Sequence, residues 1–198
     1  AQVDELIYQL TLKGEIEIEN ASLRELLKLK DQSPDVFGPG ADLLVAEVIG
    51  RDPSNLLRYL TVDRGIQDGI KRAMTVITAR GQVVRVALLT DTSSAVDGLV
   101  QRSRATGIVQ GQTGPNLIMR FLPQTEGIAE PGDLVLTSGL GGYFPRRLLI
   151  GQIVEVRRRD VDMFQEAIVR PAVEYERLET VIVVRHFTPI GAEGPREP

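Results

Sequence analysis

From Leu43 onward the sequence is a succession of short β-type runs, and this pattern restricts the fold more than any other feature. The runs are rich in Val, Ile, Leu and Thr, and Gly, Pro, Asp and Asn separate them. Such spacing and turn chemistry are typical of small antiparallel barrels or sandwiches. We predict strands at residues 43–50, 58–62, 73–78, 83–90, 96–101, 107–110, 116–121, 133–138, 148–157, 164–170 and 180–185.

Residues 1–31 have a different pattern, that of one helix. The segment is rich in Glu, Leu, Lys and Gln and contains no proline. Four of its residues are spaced by four, three and four positions, as in the a/d seam of a coiled coil. Asn20 at this seam would favour a two-stranded pairing. We therefore predict a coiled-coil dimer, the alternative being an amphipathic helix lying on its own domain. The predicted seam consists of Ile16, Asn20, Leu23 and Leu27.

The seam weakens toward the N-terminus. The same spacing places Lys13 and Gln9 inside, and Gly14 lowers helix stability by about 1 kcal/mol. Apolar residues upstream follow another phase, which would require a stutter in the repeat. These out-of-phase residues are Val3, Leu6 and Leu10.

Two segments are predicted to lack regular structure. Residues 32–42 are rich in Pro, Gly and Asp, which predicts a linker between the helix and the β-type runs. Residues 189–198 combine Pro, Gly, Glu and Arg, and we predict a disordered tail there.

A glycine-rich loop interrupts the stretch Gly132–Val156. Glycines in the segment Ser138–Gly142 can take positive φ without steric cost, and we predict this conformation at Gly141 or Gly142.

Two aromatic residues, Tyr143 and Phe144, follow this loop and precede Pro145. At a loop tip both can be exposed, and exposed aromatic residues are common interface anchors. We predict that both bind a partner, the alternative being that Phe144 folds back to plug the barrel end.

An ordered set of short motifs runs through the chain. Around the glycine-rich loop they are Gly132-Asp133, Thr137-Ser138-Gly139, Phe144-Pro145 and Ile150-Gly151. Elsewhere they are Ala46–Asp52, Thr61–Gly65, Asp68-Gly69, Met74, Leu88–Asp91 and Leu178-Glu179. The set resembles the rod shape-determining protein MreC family over residues 20–187. Two positions depart from the family, since Arg147 and Ala73 stand where glycine is usual.

The resemblance implies a mainly β fold, with an N-terminal coiled-coil helix followed by two small antiparallel six-stranded β-barrels. Residues 43–50 need partners to close a barrel, and we expect 148–157 and 180–185 to return to them. The first barrel is thus predicted to be discontinuous, formed by 43–88 and 146–188, with 89–145 as an inserted second barrel. The alternative is two contiguous barrels divided near residue 100.

One strand and turn of the family are missing between Val84 and Leu88. Either this member has lost a hairpin or the sequence skips a disordered segment, and we favour the second interpretation.

Composition argues against several classes of function. A formal net charge of −4 and an aromatic content of 5% do not suit nucleic-acid binding. The chain has no cysteine and only one histidine, so we expect no zinc, no other metal and no cofactor. A local basic cluster indicates a solvated hairpin end or contact with an acidic partner surface. Its members are Arg146, Arg147, Arg157, Arg158 and Arg159.

A double barrel invites comparison with chymotrypsin-type proteases. Ser138 lies in a glycine-rich loop, and His186 is the only histidine. Proteases of that fold carry Gly-Asp-Ser-Gly-Gly and take their base from the first barrel, whereas here Gly132-Asp133 lie well ahead of Ser138 and His186 follows it. Since a triad needs three groups in mutual hydrogen-bond reach, we expect no catalysis.

The sequence therefore favours a non-enzymatic scaffold. The resemblance implies a role in the bacterial cell-wall elongation machinery and in rod shape, on the periplasmic side of the inner membrane, with a membrane anchor upstream. It implies three partners: the elongation transpeptidase (a class B penicillin-binding protein), MreD, and MreB through a cytoplasmic tail. It also implies self-association as a dimer or filament. The alternatives are a degenerate serine-protease-like double barrel that binds peptides by strand addition, and an envelope hydrolase with an unrecognised site.

Overall fold

A computed structural model describes residues 2–51, 60–72, 74–80, 82–84, 95–112, 115–142, 144–158, 162–174 and 177–188, with some side chains of the N-terminal helix and that of Val84 left out. In these residues each predicted β-type run contains a strand. The elements are helix α1 (Gln2–Phe37) and strands β1 (Asp42–Arg51), β2 (Leu60–Val62), β3 (Thr75–Ile77), β4 (Val83–Val84), β5 (Val96–Val100), β6 (Thr106–Gly111), β7 (Leu117–Pro123), β8 (Leu134–Thr137), β9 (Leu149–Arg157), β10 (Phe164–Pro171) and β11 (Thr180–His186).

Helix α1 is longer than the sequence predicts. It spans 36 residues and takes in positions up to Phe37, so the predicted helix end at residue 31 is wrong, and of the predicted linker 32–42 only residues 38–41 lie outside helix and strand. The reason is burial at the far end, because Phe37 is fully buried and shares a core with Ile77 and Ile182. Burying such a side chain contributes about 1.5–3 kcal/mol, which offsets the helix-breaking tendency of Pro34.

Helix α1 ends just before Gly38, and this glycine is in close contact with Thr188. Gly38 has φ +79°, the left-handed conformation common just after a helix, and Pro39 follows it. The N–H of Thr188 donates to the Phe37 carbonyl at 2.9 Å. A Cβ on Gly38 would lie 2.6 Å from the Thr188 carbonyl oxygen, so Thr188, two residues beyond β11, fixes the helix end.

Five strands form an open antiparallel sheet in the order β2-β1-β11-β3-β4. Of the two late runs expected to pair with residues 43–50, β11 does so, with Leu43 opposite Val184 and Ala46 opposite Val181. Hydrophobic residues cover both faces of the sheet, and the end of α1 packs on one of them through Leu29.

The other six strands close into a barrel in the order β10-β7-β6-β5-β8-β9. The prediction that residues 148–157 return to the first unit is therefore wrong, as is the range 89–145 for the second barrel. The reason is local, since β9 follows β8 and pairs with it antiparallel, and β10 then pairs with β9 and β7. The barrel core contains Val100, Val109, Met119, Leu122, Ala129, Val135, Ile150, Ile153, Ala167 and Val169.

The sheet and the barrel touch at the turn before β4. Val83 packs against the cores of both units. Beside it, Gln82 forms a parallel bridge with Leu149, and its side-chain amide donates to the Ala172 carbonyl at 3.2 Å. The two units are thus joined by apolar packing and by hydrogen bonds.

Several sequence predictions concern residues outside the described part. These are Ala73, Tyr143, Arg159, the Leu88–Asp91 motif with the missing hairpin before it, and the tail 189–198.

Candidate partner-binding surfaces

The glycine-rich loop between β8 and β9 is held by buried Thr137. Its hydroxyl donates to the Pro145 carbonyl and accepts the N–H of Leu148 at 3.0 Å. Gly141 and Gly142 have φ of +79° and +73°, which confirms the predicted left-handed conformation. The loop therefore has a defined shape that depends on these conformations.

Phe144 is half-buried in this loop, and Pro145 after it is buried. The side chain of Phe144 is thus neither fully exposed nor fully packed, and Tyr143 lies outside the described residues. The choice between a partner anchor and a barrel plug stays a prediction.

Ser138 and His186 belong to different units of the fold. Ser138 follows β8 of the barrel, and its hydroxyl accepts the N–H of Leu140 at 3.1 Å in a local turn. His186 ends β11 of the open sheet, opposite Asp42 of β1. Within the described residues, Ser138 is thus engaged in shaping its own loop.

The described seam residues of α1 are exposed. Ile16 and Leu27 are 50% and 60% exposed, and Asn20 is exposed as well. The side chain of Leu23 lies outside the described part of the helix. The β units of the same chain therefore do not cover Ile16, Asn20 or Leu27. No helix in the described ranges is long and apolar enough to cross a membrane.

The arginines at the end of β9 have separate local partners. Arg157 binds Glu155 at 2.8 Å, and this hydrogen bond lowers the pKa of the exposed Glu155 carboxyl. Arg158 donates instead to the side-chain oxygen of Gln165 at 2.8 Å, a neutral and fully buried group. Of the predicted basic cluster, Arg157 and Arg158 thus bind different groups, a carboxylate and a neutral amide.

The Gly132-Asp133 motif forms a structural ion pair beside β8. Arg102 donates to both carboxylate oxygens of Asp133, at 2.7 and 2.8 Å, and the N–H of Glu130 donates to one of them at 2.9 Å. The Arg102 hydrogen bonds are the main reason why the pKa of Asp133 lies below its usual range. This motif therefore stabilises the barrel end.

A cluster of exposed apolar side chains lies where β7 ends and β10 begins. Phe121 and Phe164 are 53% and 46% exposed, and their rings meet edge to face with centroids 5.8 Å apart. Met163 beside them is 83% exposed. We call Phe121, Met163 and Phe164 the aromatic patch. Sequence reasoning missed it, and the only available signal was the presence of aromatic residues in two predicted runs.

Comparison with known proteins identifies the family. Residues 48–185 match the family described as rod shape-determining protein MreC, barrel core. This chain belongs to the MreC family. The cell shape-determining protein MreC of Listeria monocytogenes is 31% identical over 193 residues, which cover 90% of this chain and 63% of that protein. The chain thus spans less than two thirds of this MreC relative.

Solved MreC structures share the fold. A structure named MreC has a TM-score of 0.69 at 28% identity and covers 85% of this chain and 98% of its own. A complex between Penicillin-Binding Protein (PBP2) and MreC from Helicobacter pylori matches with a TM-score of 0.57 at 15% identity, covering 73% of this chain and 98% of that one. This second likeness shows the fold alone.

One departure from the MreC pattern has a visible backbone consequence. Arg147, where the resemblance leads us to expect glycine, adopts φ +66°. Left-handed backbone is favourable for glycine and strained for residues with a Cβ. Arg147 therefore adopts the left-handed conformation that glycine would adopt at a lower energetic cost.

Proposed function

We propose that this chain is a non-enzymatic scaffold of the bacterial cell-wall elongation machinery that contributes to rod cell shape. It acts on the extracytoplasmic side of the inner membrane, held by an anchor that precedes the helix. Membership of the MreC family supports this role, because relatives are named for cell shape determination.

The observation that carries the proposal is the division of α1 into two parts. Leu29 and Phe37 join the core of the open sheet, whereas Ile16 and Leu27 remain exposed at seam spacing. An apolar helix stripe that its own chain leaves open favours pairing with a second helix. At 1.5 Å per residue, α1 spans about 54 Å, so a paired helix would hold the β units well away from its start.

The partners we propose are the elongation transpeptidase, a class B penicillin-binding protein, together with MreD and, through a cytoplasmic tail, MreB. The transpeptidase is the best supported of these, because a protein with this fold has been solved in complex with PBP2. Self-association as a dimer, and head-to-tail contact into a filament, complete the proposal.

Pairing through α1 is tested with Leu23→Asp. A carboxylate in a buried seam costs several kcal/mol, so analytical ultracentrifugation should show a monomer whose circular dichroism retains the β signal. The matched control is Ala21→Asp, which places the same side chain outside the seam and should remain dimeric. An unmutated chain that is monomeric at high micromolar concentration would contradict the coiled-coil interpretation.

The scaffold role is tested by co-purification of the intact envelope protein from cells and by binding of this chain to the purified extracytoplasmic domain of the transpeptidase. We expect capture of the transpeptidase and no labelling by a fluorophosphonate probe. Ester or peptide turnover that disappears in Ser138→Ala would overturn the scaffold role.

A further inference from the structure

Leu148, the last residue before β9, connects the barrel to the core beneath α1. Its backbone is bonded to Thr137 at the end of β8. Its side chain is 2% exposed and belongs to the core that Leu29 and Phe37 of α1 share with the open sheet. Two residues later, Ile150 is buried in the barrel core. The end of the glycine-rich loop is thus packed into the same core as the end of α1.

Thr137 closes the base of the glycine-rich loop through its backbone and its hydroxyl. Its N–H donates to the Leu148 carbonyl at 2.8 Å, and its carbonyl accepts the N–H of Arg147 at 3.0 Å. Its hydroxyl donates to the Pro145 carbonyl and accepts the N–H of Leu148. Thr137 is fully buried, so removing the hydroxyl would leave these two groups without a partner and would destabilise the closed loop.

Backbone strain lies directly beside Leu148. Arg147 has φ +66°, and a residue with a Cβ persists in such a conformation only where its surroundings impose it. The contacts on either side of Arg147 are its hydrogen bond to the Thr137 carbonyl and the burial of Leu148. Opening the loop would therefore relieve this strain and loosen Leu148 at the same time.

The outer part of the glycine-rich loop is open to contact from outside. Leu140 is 52% exposed, and Gly141 beside it is exposed as well. The Arg146 side chain lies across Gly139, where an added Cβ would come within 2.1 Å of the Arg146 Cγ. The loop is thus closed upon itself, and a contact on its outer surface acts on the same backbone that positions Leu148.

We propose that the glycine-rich loop and residues 29–37 of α1 open and close as one cooperative unit, with Leu148 as the side chain that joins them. A contact that holds the loop closed then also holds the end of α1 on the sheet, and by the same linkage a firmly seated helix stabilises the loop. The loop is thereby a regulatory element for α1. This goes beyond the scaffold role and does not depend on which molecule touches the loop.

Amide hydrogen exchange of the full chain, followed by NMR, tests this coupling. The amide of Arg147 reports on the loop, and the amides of Phe37 and Thr188 report on the end of α1. Thr137→Val removes the hydroxyl and keeps the shape of the side chain. We expect exchange to become about tenfold faster at the loop and at the end of α1 alike. Thr137→Ser, which keeps the hydroxyl, should have a clearly smaller effect.

The reverse experiment perturbs the helix and observes the loop. Leu29→Ala truncates a side chain of α1 that is buried in the shared core. It should accelerate exchange at Arg147 by the same factor as at Phe37. The matched control is Val100→Ala, which truncates a fully buried side chain of the barrel core and should leave exchange at Phe37 unchanged.

Two results would overturn the proposal. In the first, Thr137→Val accelerates exchange in the loop and leaves the end of α1 unchanged. In the second, Val100→Ala accelerates exchange at the end of α1 as much as Thr137→Val does, which would show that only global unfolding connects the two segments. If Thr137→Val does not fold, Leu29→Ala decides, since an unchanged Arg147 amide in that variant also contradicts the coupling. None of these results bears on transpeptidase binding, so the scaffold role stands or falls separately.

Discussion

The backbone strain at Arg147 can be measured by replacing this one residue. Its φ of +66° costs a residue with a Cβ about 1 kcal/mol relative to glycine. We therefore expect Arg147→Gly to exceed Arg147→Ala in free energy of unfolding by about 1 kcal/mol in urea denaturation. At Arg146, whose φ is not positive, the order of the two variants should reverse. The same order at both positions would show that the backbone of Arg147 is not strained.

Asp133 should contribute to the acid sensitivity of the barrel. Its pKa is lowered in the folded state, mainly by the Arg102 hydrogen bonds, so its stabilisation is complete above the unfolded pKa of about 3.9. As pH falls below that value and through the folded pKa, this stabilisation is lost. Asp133→Asn should therefore lower the melting temperature at pH 7 and flatten its dependence on pH below about 5.

Glu155 provides the control for this pH effect. Its pKa is also lowered by an arginine, but both partners of the Glu155–Arg157 pair are more than half exposed, and exposed pairs add little stability. Glu155→Gln should leave the pH profile nearly unchanged. If Asp133→Asn and Glu155→Gln flattened the pH dependence of the melting temperature equally, the ion pair of Asp133 would not be the cause of the acid sensitivity.

Truncating side chains in the two parts of α1 should affect two different properties, the stability of the monomer and its self-association. Phe37→Ala removes a fully buried ring and should lower the free energy of unfolding by about 3–5 kcal/mol. Leu27→Ala, at a position 60% exposed, should change the unfolding of the monomer little and weaken self-association instead. Chemical denaturation and sedimentation of each variant separate the two effects. A large loss of monomer stability in Leu27→Ala would contradict this division.

The sequence predicts the strands well because each run carries its own local pattern. It fails at the end of α1, where the signal at Pro34 is overridden by burial of Phe37 against strands distant in sequence. It also fails at β9, because apolar runs do not specify which neighbour they pair with. The resemblance to MreC predicted two six-stranded barrels, whereas the described residues form one closed six-stranded barrel and one open five-stranded sheet, and the predicted assignment of strands to the two units was wrong for β9.

The aromatic patch could not be predicted for a related reason. Strand patterns assume that side chains alternate between the two faces, and the bulge at Phe121 breaks that alternation. Nothing in the sequence marks the extra residue. The predicted anchors Tyr143 and Phe144, by contrast, stood out because glycines and a proline surround them.

At the scale of the whole molecule, the sheet and the barrel should unfold together. Val83 packs against both cores, and Gln82 bonds across to Ala172. We expect one cooperative transition in calorimetry for the unmutated chain and a broadened or divided transition for the double variant Gln82→Ala/Val83→Ala. Two separate transitions in the unmutated chain would show that the junction does not couple the units.

The contact between the end of α1 and Thr188 affects how the chain would carry a mechanical load. A tension applied along the helix enters the sheet at β1, which is bonded on one side to β2 and on the other to β11. The Thr188–Phe37 hydrogen bond connects the helix end directly to the segment that follows β11, the middle strand of the five. The load is thus carried by interior strands and not by an edge strand that could peel away. The end of the helix is therefore joined to the sheet by this hydrogen bond as well as by the chain, so a pull along the helix is transmitted to two interior strands.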